Sequence, residues 1–179
     1  MMSALERPFT IDLRGLKDGR HDRSLMAPGN LLELPADLLV VDGEVALELE
    51  VSVTGTLIRA RGTVRAEAGL TCGRCLEPFR ENITAEVDIV LRSGTNGIRM
   101  EDEDETAPFI GDNWVALDAP VREALILGVP MRSLCRPECR GLCPQCGENL
   151  NLSTCSCRPE PADARWEALR SLLDEKEED

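Results

Sequence analysis

Eight cysteines dominate the chemistry available to this chain. Two form Cys72-Gly-Arg-Cys75, and the other six, Cys135, Cys139, Cys143, Cys146, Cys155 and Cys157, crowd into one short stretch. This is metal-ligand spacing, because thiolates are soft ligands and four of them close a tetrahedral shell around zinc. Cys143-Pro-Gln-Cys146-Gly147 is expected to turn so that two sulfurs face one centre and backbone amides donate to them. Two four-thiolate sites would use all eight sulfurs. The expected partition sets Cys72 and Cys75, at a hairpin tip, with Cys135 and Cys139, while Cys143, Cys146, Cys155 and Cys157 close the second site. A bridged two-metal cluster within the last six, or one site with spare thiols, satisfies the same spacing.

Other chemistries compete for these residues. Disulfides staple small secreted domains, but the N-terminal residues include Glu6, Arg7 and Asp12 and show no apolar run with a small-residue cleavage site. No window reaches membrane-spanning length either. A reducing, cytoplasmic setting is therefore expected, in which closely spaced thiols usually mean metal. Iron–sulfur clusters also take four cysteines. Catalytic zinc normally keeps one open position and often uses histidine or carboxylate ligands. The single histidine, His21, lies in a polar stretch and is expected to be a solvated loop residue. Cys72-Gly-Arg-Cys75 also matches the separation of a redox pair, but such pairs sit where a strand leads into a helix. Here Pro78 and the alternating pattern beyond it point to a turn between strands.

Around the cysteines the sequence alternates. Val45, Leu47, Leu49, Val51 and Val53 interleave with Ala46, Glu48, Glu50, Ser52 and Thr54. Ile58, Ala60, Val64 and Ala66 follow after Gly55, opposite Arg59, Arg61, Thr63, Arg65 and Glu67. Ile83, Ala85, Val87, Ile89 and Leu91 repeat the period of two. These read as antiparallel strands with one wet face. Phe9–Leu13 reads as a short strand followed by a polar connection, and Trp114–Leu117 as another strand. Residues 93–106, with the run Glu101–Glu105, read as an acidic loop that is either solvated or available to a basic partner. Asp118-Ala-Pro120 opens a short helix placing Val121 and Leu125 on one face, stopped by Gly128 and Pro130. Asp163 caps a second helix carrying Trp166, Leu169 and Leu173 as a stripe for packing or docking. The expected fold class is α+β: an antiparallel sheet core over residues 1–131, a few short helices, and a cysteine-rich zinc-binding extension over 132–179.

Composition explains why that extension needs metal. Between Arg132 and Arg158 the large apolar residues are chiefly Leu134, Leu142, Leu150 and Leu152. They cannot offset chain entropy of about 1–2 kcal/mol per residue, whereas a structural zinc contributes on the order of 10 kcal/mol or more. The net charge is −13, and a zinc held by four thiolates adds −2. Arg132, Arg136, Arg140 and Arg158 therefore either offset local negative charge or form a patch for RNA. Only 3% of residues are aromatic and tyrosine is absent, so surfaces on which bases could stack are scarce. The acidic balance suits a basic protein partner. No nucleophile–base pair, phosphate-binding glycine loop or pair of catalytic carboxylates stands out, and no enzymatic activity is expected.

Taken in order, Cys72-Gly-Arg-Cys75-Leu-Glu-Pro-Phe79, Leu125–Met131 leading into Cys135, Gly141-Leu-Cys-Pro-Gln-Cys-Gly-Glu-Asn-Leu-Asn151, Cys155-Ser-Cys157 and Arg165-Trp166-Glu-Ala-Leu169 resemble the YceD-like large ribosomal RNA subunit accumulation proteins of bacteria and plastids. The resemblance covers most of the chain from about Val45 onward. It implies a non-enzymatic cytosolic factor supporting accumulation of large-subunit (23S) ribosomal RNA, and hence large-subunit biogenesis. Handling of a basic large-subunit ribosomal protein or of precursor RNA would fit that role. Two other classes share some of these features. A zinc-ribbon nucleic-acid regulator needs a basic surface, and a thiol redox protein needs an accessible low-pKa cysteine at Cys72 or Cys75.

Overall fold

The computed structural model describes residues 7–94, 97–100, 109–110 and 113–157. The chain divides into two compact units, Met1–Cys139 and Arg140–Asp179. Among the described residues the first unit is mostly antiparallel sheet with one α-helix. No helix among them is long and apolar enough to cross a membrane.

Strict alternation builds the main sheet. Strands β2 (Gly19–Pro28), β3 (Glu44–Thr54), β4 (Leu57–Thr71), β5 (Pro78–Gly94) and β6 (Gly97–Met100) follow β1 (Thr10–Asp12) in the chain and lie side by side in sequence order, each antiparallel to the next. The β3–β4 connection is the two-residue turn Gly55–Thr56, closed by the pair Thr54↔Leu57. Gly55 takes φ +59° at its first position, where a right-twisted hairpin requires a left-handed residue. That turn fixes the register, which puts Val45, Leu47, Val51, Val64, Ile83 and Leu91 on one face, all nearly inaccessible to water.

The opposite face is wet, and its charges are matched across strands. Arg59 Nε donates to Asp88 at 2.8 Å, Arg65 contacts Glu48 at 2.7 Å, and Arg20 and Arg61 approach Glu50 and Glu86 at 3.4 and 3.5 Å. Toward the hairpin tip, Arg80 bonds Glu67 at 2.8 Å. Arg59 beside Asp88 holds that carboxyl below its usual range. One inward position of β4 breaks the apolar series: Gly62 faces Leu49 and Val87 in register. A Cβ there would lie 1.8 Å from the Glu48 carbonyl oxygen, so the sheet bends too tightly at this point for any side chain.

Helix α1 (Asp118–Leu127) covers part of the apolar face and buries Val121 and Leu125 completely. It ends at Gly128, whose N–H donates to the Ala124 carbonyl at 2.9 Å. A Cβ on Gly128 would sit 2.8 Å from Ile83 Cγ2, so the chain passes close over β5. A smaller sheet orders β1, β8 (Trp114–Ala116) and β7 (Phe109–Ile110), with Ile11 opposite Val115. The Leu117 N–H donates to the Phe9 carbonyl at 2.7 Å, tying the helix start to the buried Phe9.

Two expectations need correction. The stretch after Leu13 is not wholly a connection, because it contains β2, and His21 lies within that strand with its ring Nε2 2.8 Å from the Lys17 carbonyl. An inward face of His21, Arg23 and Leu25 is too polar to register as alternation. Nor is 93–106 all loop, since β5 runs through Gly94 and Gly97–Met100 pairs back on it. The run Glu101–Glu105 lies outside the described residues, as does the expected helix carrying Trp166, Leu169 and Leu173.

In the second unit the described residues, 140–157, carry one isolated bridge, Leu142↔Asn149, and neither a helix nor a named strand. Their only buried members are Gly141 and Cys143.

Candidate metal centres

The eight sulfurs assemble in two groups, Cys72, Cys75, Cys135 and Cys139 in the first unit and Cys143, Cys146, Cys155 and Cys157 in the second. Within each group all four Sγ atoms lie within 4.8 Å of one another. This is the partition expected from the sequence. All eight cysteines are free thiols.

Each group begins with the same turn. Cys72-Gly-Arg-Cys-Leu-Glu77 follows β4 and precedes β5, and Cys143-Pro-Gln-Cys-Gly-Glu148 opens the second unit's cluster. In the first, Leu76 N–H donates to the Cys72 carbonyl at 2.9 Å and Cys72 N–H to the Glu77 carbonyl at 3.0 Å. In the second, Gly147 N–H donates to the Cys143 carbonyl at 2.9 Å and Cys143 N–H to the Glu148 carbonyl at 2.8 Å. The fifth residue is left-handed in both, at φ +59° for Leu76 and +75° for Gly147. Glycine adopts that conformation without strain, while leucine pays in steric energy at an exposed position.

Backbone N–H groups point at the first sulfur of each turn, from the turn itself and, at Cys72, also from the loop carrying Cys135. Donation from the Cys135 amide, then from that of Cys75, lowers the Cys72 thiol to about 6. Donation from the Cys146 amide, then from that of Gln145, lowers Cys143 to about 6. The later members behave oppositely. Burial, followed by the neighbouring Cys139 sulfur, pushes Cys135 up to about 12, and the Cys146 sulfur, followed by burial, does the same to Cys157. Four sulfurs packed this closely repel shared negative charge, and a divalent cation at their centre removes that repulsion.

Distances favour a tetrahedral ion. Bonds of about 2.3 Å to zinc imply sulfur–sulfur edges of about 3.8 Å. The Cys72–Cys139 and Cys75–Cys135 separations are 3.8 and 3.7 Å. A disulfide would need about 2.05 Å. The Cys72-Gly-Arg-Cys75 pair joins two strands and does not head a helix, so it lacks the setting of a thioredoxin-like redox site. Zinc, with no geometric preference beyond ligand packing, fits both donor sets.

The second half of the first group is brought in from beyond α1. Gly73 N–H donates to the Ser133 carbonyl at 2.8 Å, and Arg74 Nη1 donates to the carbonyls of Cys139 and Pro137 at 2.9 and 3.3 Å. The guanidinium thus pins the loop holding Cys135 and Cys139. Phe79 and Leu134 pack over Cys72, Cys75 and Cys139. Sequence reasoning missed the positioning role of Arg74, for which no local signal exists. It also missed the repeated Cys-x-x-Cys-x-Glu turn, which was readable by aligning Cys72–Glu77 with Cys143–Glu148. In the second group, Asn151 takes the Arg140 N–H on its side-chain oxygen at 2.8 Å, and Leu150 N–H donates to the Gly141 carbonyl at 2.9 Å. Arg132, Arg136 and Arg140 are exposed, and Arg158 lies outside the described residues.

Both cysteine groups fall within a region shared with a known family. The family described as Large ribosomal RNA subunit accumulation protein YceD matches residues 60–173, a span containing both cysteine groups. An uncharacterized protein of Mycobacterium tuberculosis is 29% identical over 172 residues, covering 93% of this chain and 82% of that one. The maize chloroplastic protein named Large ribosomal RNA subunit accumulation protein YCED homolog 1 is 27% identical over 145 residues, covering 64% of this chain and 49% of that one. Its Arabidopsis thaliana counterpart is 23% identical over 147 residues, covering 68% and 46%. No solved structure matches the chain. With both cysteine groups inside a match that spans more than half its length, the chain belongs to the YceD family of large ribosomal RNA subunit accumulation proteins.

Proposed function

We propose that this chain supports accumulation of large-subunit ribosomal RNA as a non-catalytic binding protein, stabilised by one zinc ion in each cysteine group. In a reducing cytoplasmic setting it holds a small basic large-subunit ribosomal protein, suppressing that protein's indiscriminate attachment to RNA until the nascent ribosomal RNA offers its proper site. RNA left uncovered is open to degradation, so failed delivery lowers its level.

Charge carries this reading. The chain bears −13, and the arginines Arg20, Arg59, Arg61 and Arg65 on the sheet's wet face are matched to carboxylates, which leaves little free positive charge for phosphate. Long-range attraction speeds capture of a basic partner and weakens with salt. The metal part rests on the two groups of four thiols, each with its sulfurs within 4.8 Å of one another, and on the 3.8 and 3.7 Å edges of the first. When bound, zinc supplies a closed structural centre with no open position for chemistry. The chain's own contribution is to present four thiolates to each centre, two of them from its Cys-x-x-Cys turn, and to pin the Cys135–Cys139 loop through Arg74.

The test has four parts. Depletion of the protein, followed by gradient separation of subunits and quantification of the ribosomal RNAs, should show a selective loss of large subunits; normal levels refute the function. Purified chain should capture basic large-subunit proteins at low salt and release them at high salt. Binding of labelled ribosomal RNA at moderate salt, abolished by reversing Arg132 and Arg136, would instead assign direct RNA contact. Elemental analysis of protein prepared without added metal should find about two zinc ions per chain.

A further inference from the structure

The two cysteine groups have the same ligands but unequal cover. In the first, Cys72, Cys75 and Cys139 are 0%, 4% and 3% exposed, Cys135 is half-buried, and Phe79 and Leu134 pack against the group. In the second, Cys143 is buried, but Cys146 and Cys157 are exposed and Cys155 is half-buried. A hydroperoxide must reach a thiolate sulfur in line with its O–O bond, so a sulfur sealed under apolar side chains reacts slowly even when ionised, and an open one reacts freely.

We propose that the Cys146 and Cys157 pair of the second group is a thiol-oxidation site for hydroperoxides, whose modification expels that group's metal ion and unravels the described part of the second unit while the first group stays intact. The inference rests on the zinc reading above. The chemistry balances with the hydroperoxide as oxidant. The Cys146 thiolate attacks the terminal peroxide oxygen, the O–O bond breaks, and the alkoxide leaves and takes a proton, so sulfur has lost two electrons as a sulfenic acid. The Cys157 thiolate then attacks that sulfur, an S–S bond forms, and hydroxide leaves and is protonated to water. In total, one hydroperoxide and two protons convert two thiolates to one disulfide, one alcohol and one water.

Geometry permits the bond. Sulfurs within 4.8 Å need to close to about 2.05 Å, and Gly147, already left-handed at φ +75°, adjoins the attacking residue. Two remaining thiolates cannot hold a tetrahedral ion tightly, so the metal leaves. What remains of residues 140–157 is a set of turn hydrogen bonds around one bridge, with Gly141 and Cys143 the only buried residues. The first unit has a separate apolar core that does not depend on the second group.

Zinc-loaded full-length chain is titrated with tert-butyl hydroperoxide. Released metal is followed with a chromogenic chelator, and free thiols are mapped by alkylation and mass spectrometry. We expect one zinc ion per chain released at least about tenfold faster than the other, with disulfide confined to Cys143, Cys146, Cys155 and Cys157 while Cys72, Cys75, Cys135 and Cys139 stay reduced. Amide exchange should rise over 140–157 and stay unchanged over β3–β5. A Cys146→Ser, Cys157→Ser chain, which retains the first group, should load one zinc ion and lack the fast phase. Equal release from both groups, earlier oxidation of the first group, or a fast phase surviving in the double variant overturns the proposal. A wild-type chain that carries no metal and cannot be loaded with zinc overturns the metal reading itself.

Discussion

Replacing Cys72 with serine should unfold a defined segment and leave the sheet standing. Cys72 is fully buried and contributes one edge of the first sulfur tetrahedron, 3.8 Å from Cys139. A serine hydroxyl stays protonated and is a poor zinc ligand, so the first ion is lost. The segment at risk is Val129–Cys139, eleven residues with no helix or strand of their own. Ordering them costs about 1–2 kcal/mol each, or on the order of 11–22 kcal/mol. Without metal, what ties them to the sheet is the Gly73–Ser133 hydrogen bond, the two bonds from Arg74, the half-buried Leu134 and the packing of Val129 against the core. These supply at most about 8 kcal/mol. The shortfall, about 3–14 kcal/mol, is no larger than the roughly 10–16 kcal/mol that a structural zinc contributes. The core of β3, β4 and β5 contains no cysteine ligand and should not respond. Hydrogen exchange read by mass spectrometry checks this directly. Peptides covering 129–139 should exchange at the shortest labelling time in Cys72→Ser and in chelated wild type, while peptides within 45–66 and 83–91 keep their protection. Persistent protection of 129–139 in reduced, metal-free protein would refute the reasoning.

The remaining predictions concern strain and protons. Gly62→Ala forces a Cβ to 1.8 Å from the Glu48 carbonyl oxygen and 2.8 Å from Leu49 Cα, so chemical denaturation should show a loss of about 2 kcal/mol or more; no loss would mean the bend is soft. Leu76→Gly removes a left-handed leucine whose side chain is exposed, and should raise stability toward metal chelation by up to about 1 kcal/mol; a marked fall would show that the leucine makes a stabilising contact. At pH 7.5 in metal-free protein, Cys72 and Cys143 (each about 6) are thiolates, whereas Cys135 and Cys157 (each about 12) are thiols. Zinc binding must therefore expel protons from the latter two, detectable with an indicator dye in weak buffer. Affinity should climb with pH above 6 and fall more steeply once pH drops through 6 and the first thiolates protonate as well. Binding with no proton release would contradict these ionisation states.

What the sequence revealed follows from how local each signal is. Val45–Val53 and Ile83–Leu91 announce their strands because one whole face is apolar, and the Gly55–Thr56 turn sets their pairing. The Cys-x-x-Cys pairs were legible because each turn holds its two sulfurs by bonds within six residues, whereas Cys135 and Cys139 fitted a bridged C-terminal cluster equally until the fold brought them to Cys72 and Cys75. Strand β2 was not, because it sits at the sheet edge, where His21 and Arg23 can point inward and still reach water, so tertiary pairing with β3 decides its state. The tight passage of Gly128 over Ile83 and the grip of Arg74 on the Cys135–Cys139 loop involve partners 45 or more residues away, beyond any periodicity.

The smaller sheet pairs Thr10 with Ala116 across the length of the first unit. Strands β2 to β5 are all neighbours in sequence and can zip together as they leave the ribosome, but β1 must wait for roughly 100 more residues to be synthesised, several seconds at about 5–20 residues per second. During that interval Phe9 and Ile11, later buried, are without their final cover. Among the strands of the first unit the N-terminal one thus waits longest for its partner, and the nascent chain carries two uncovered apolar side chains until β8 arrives.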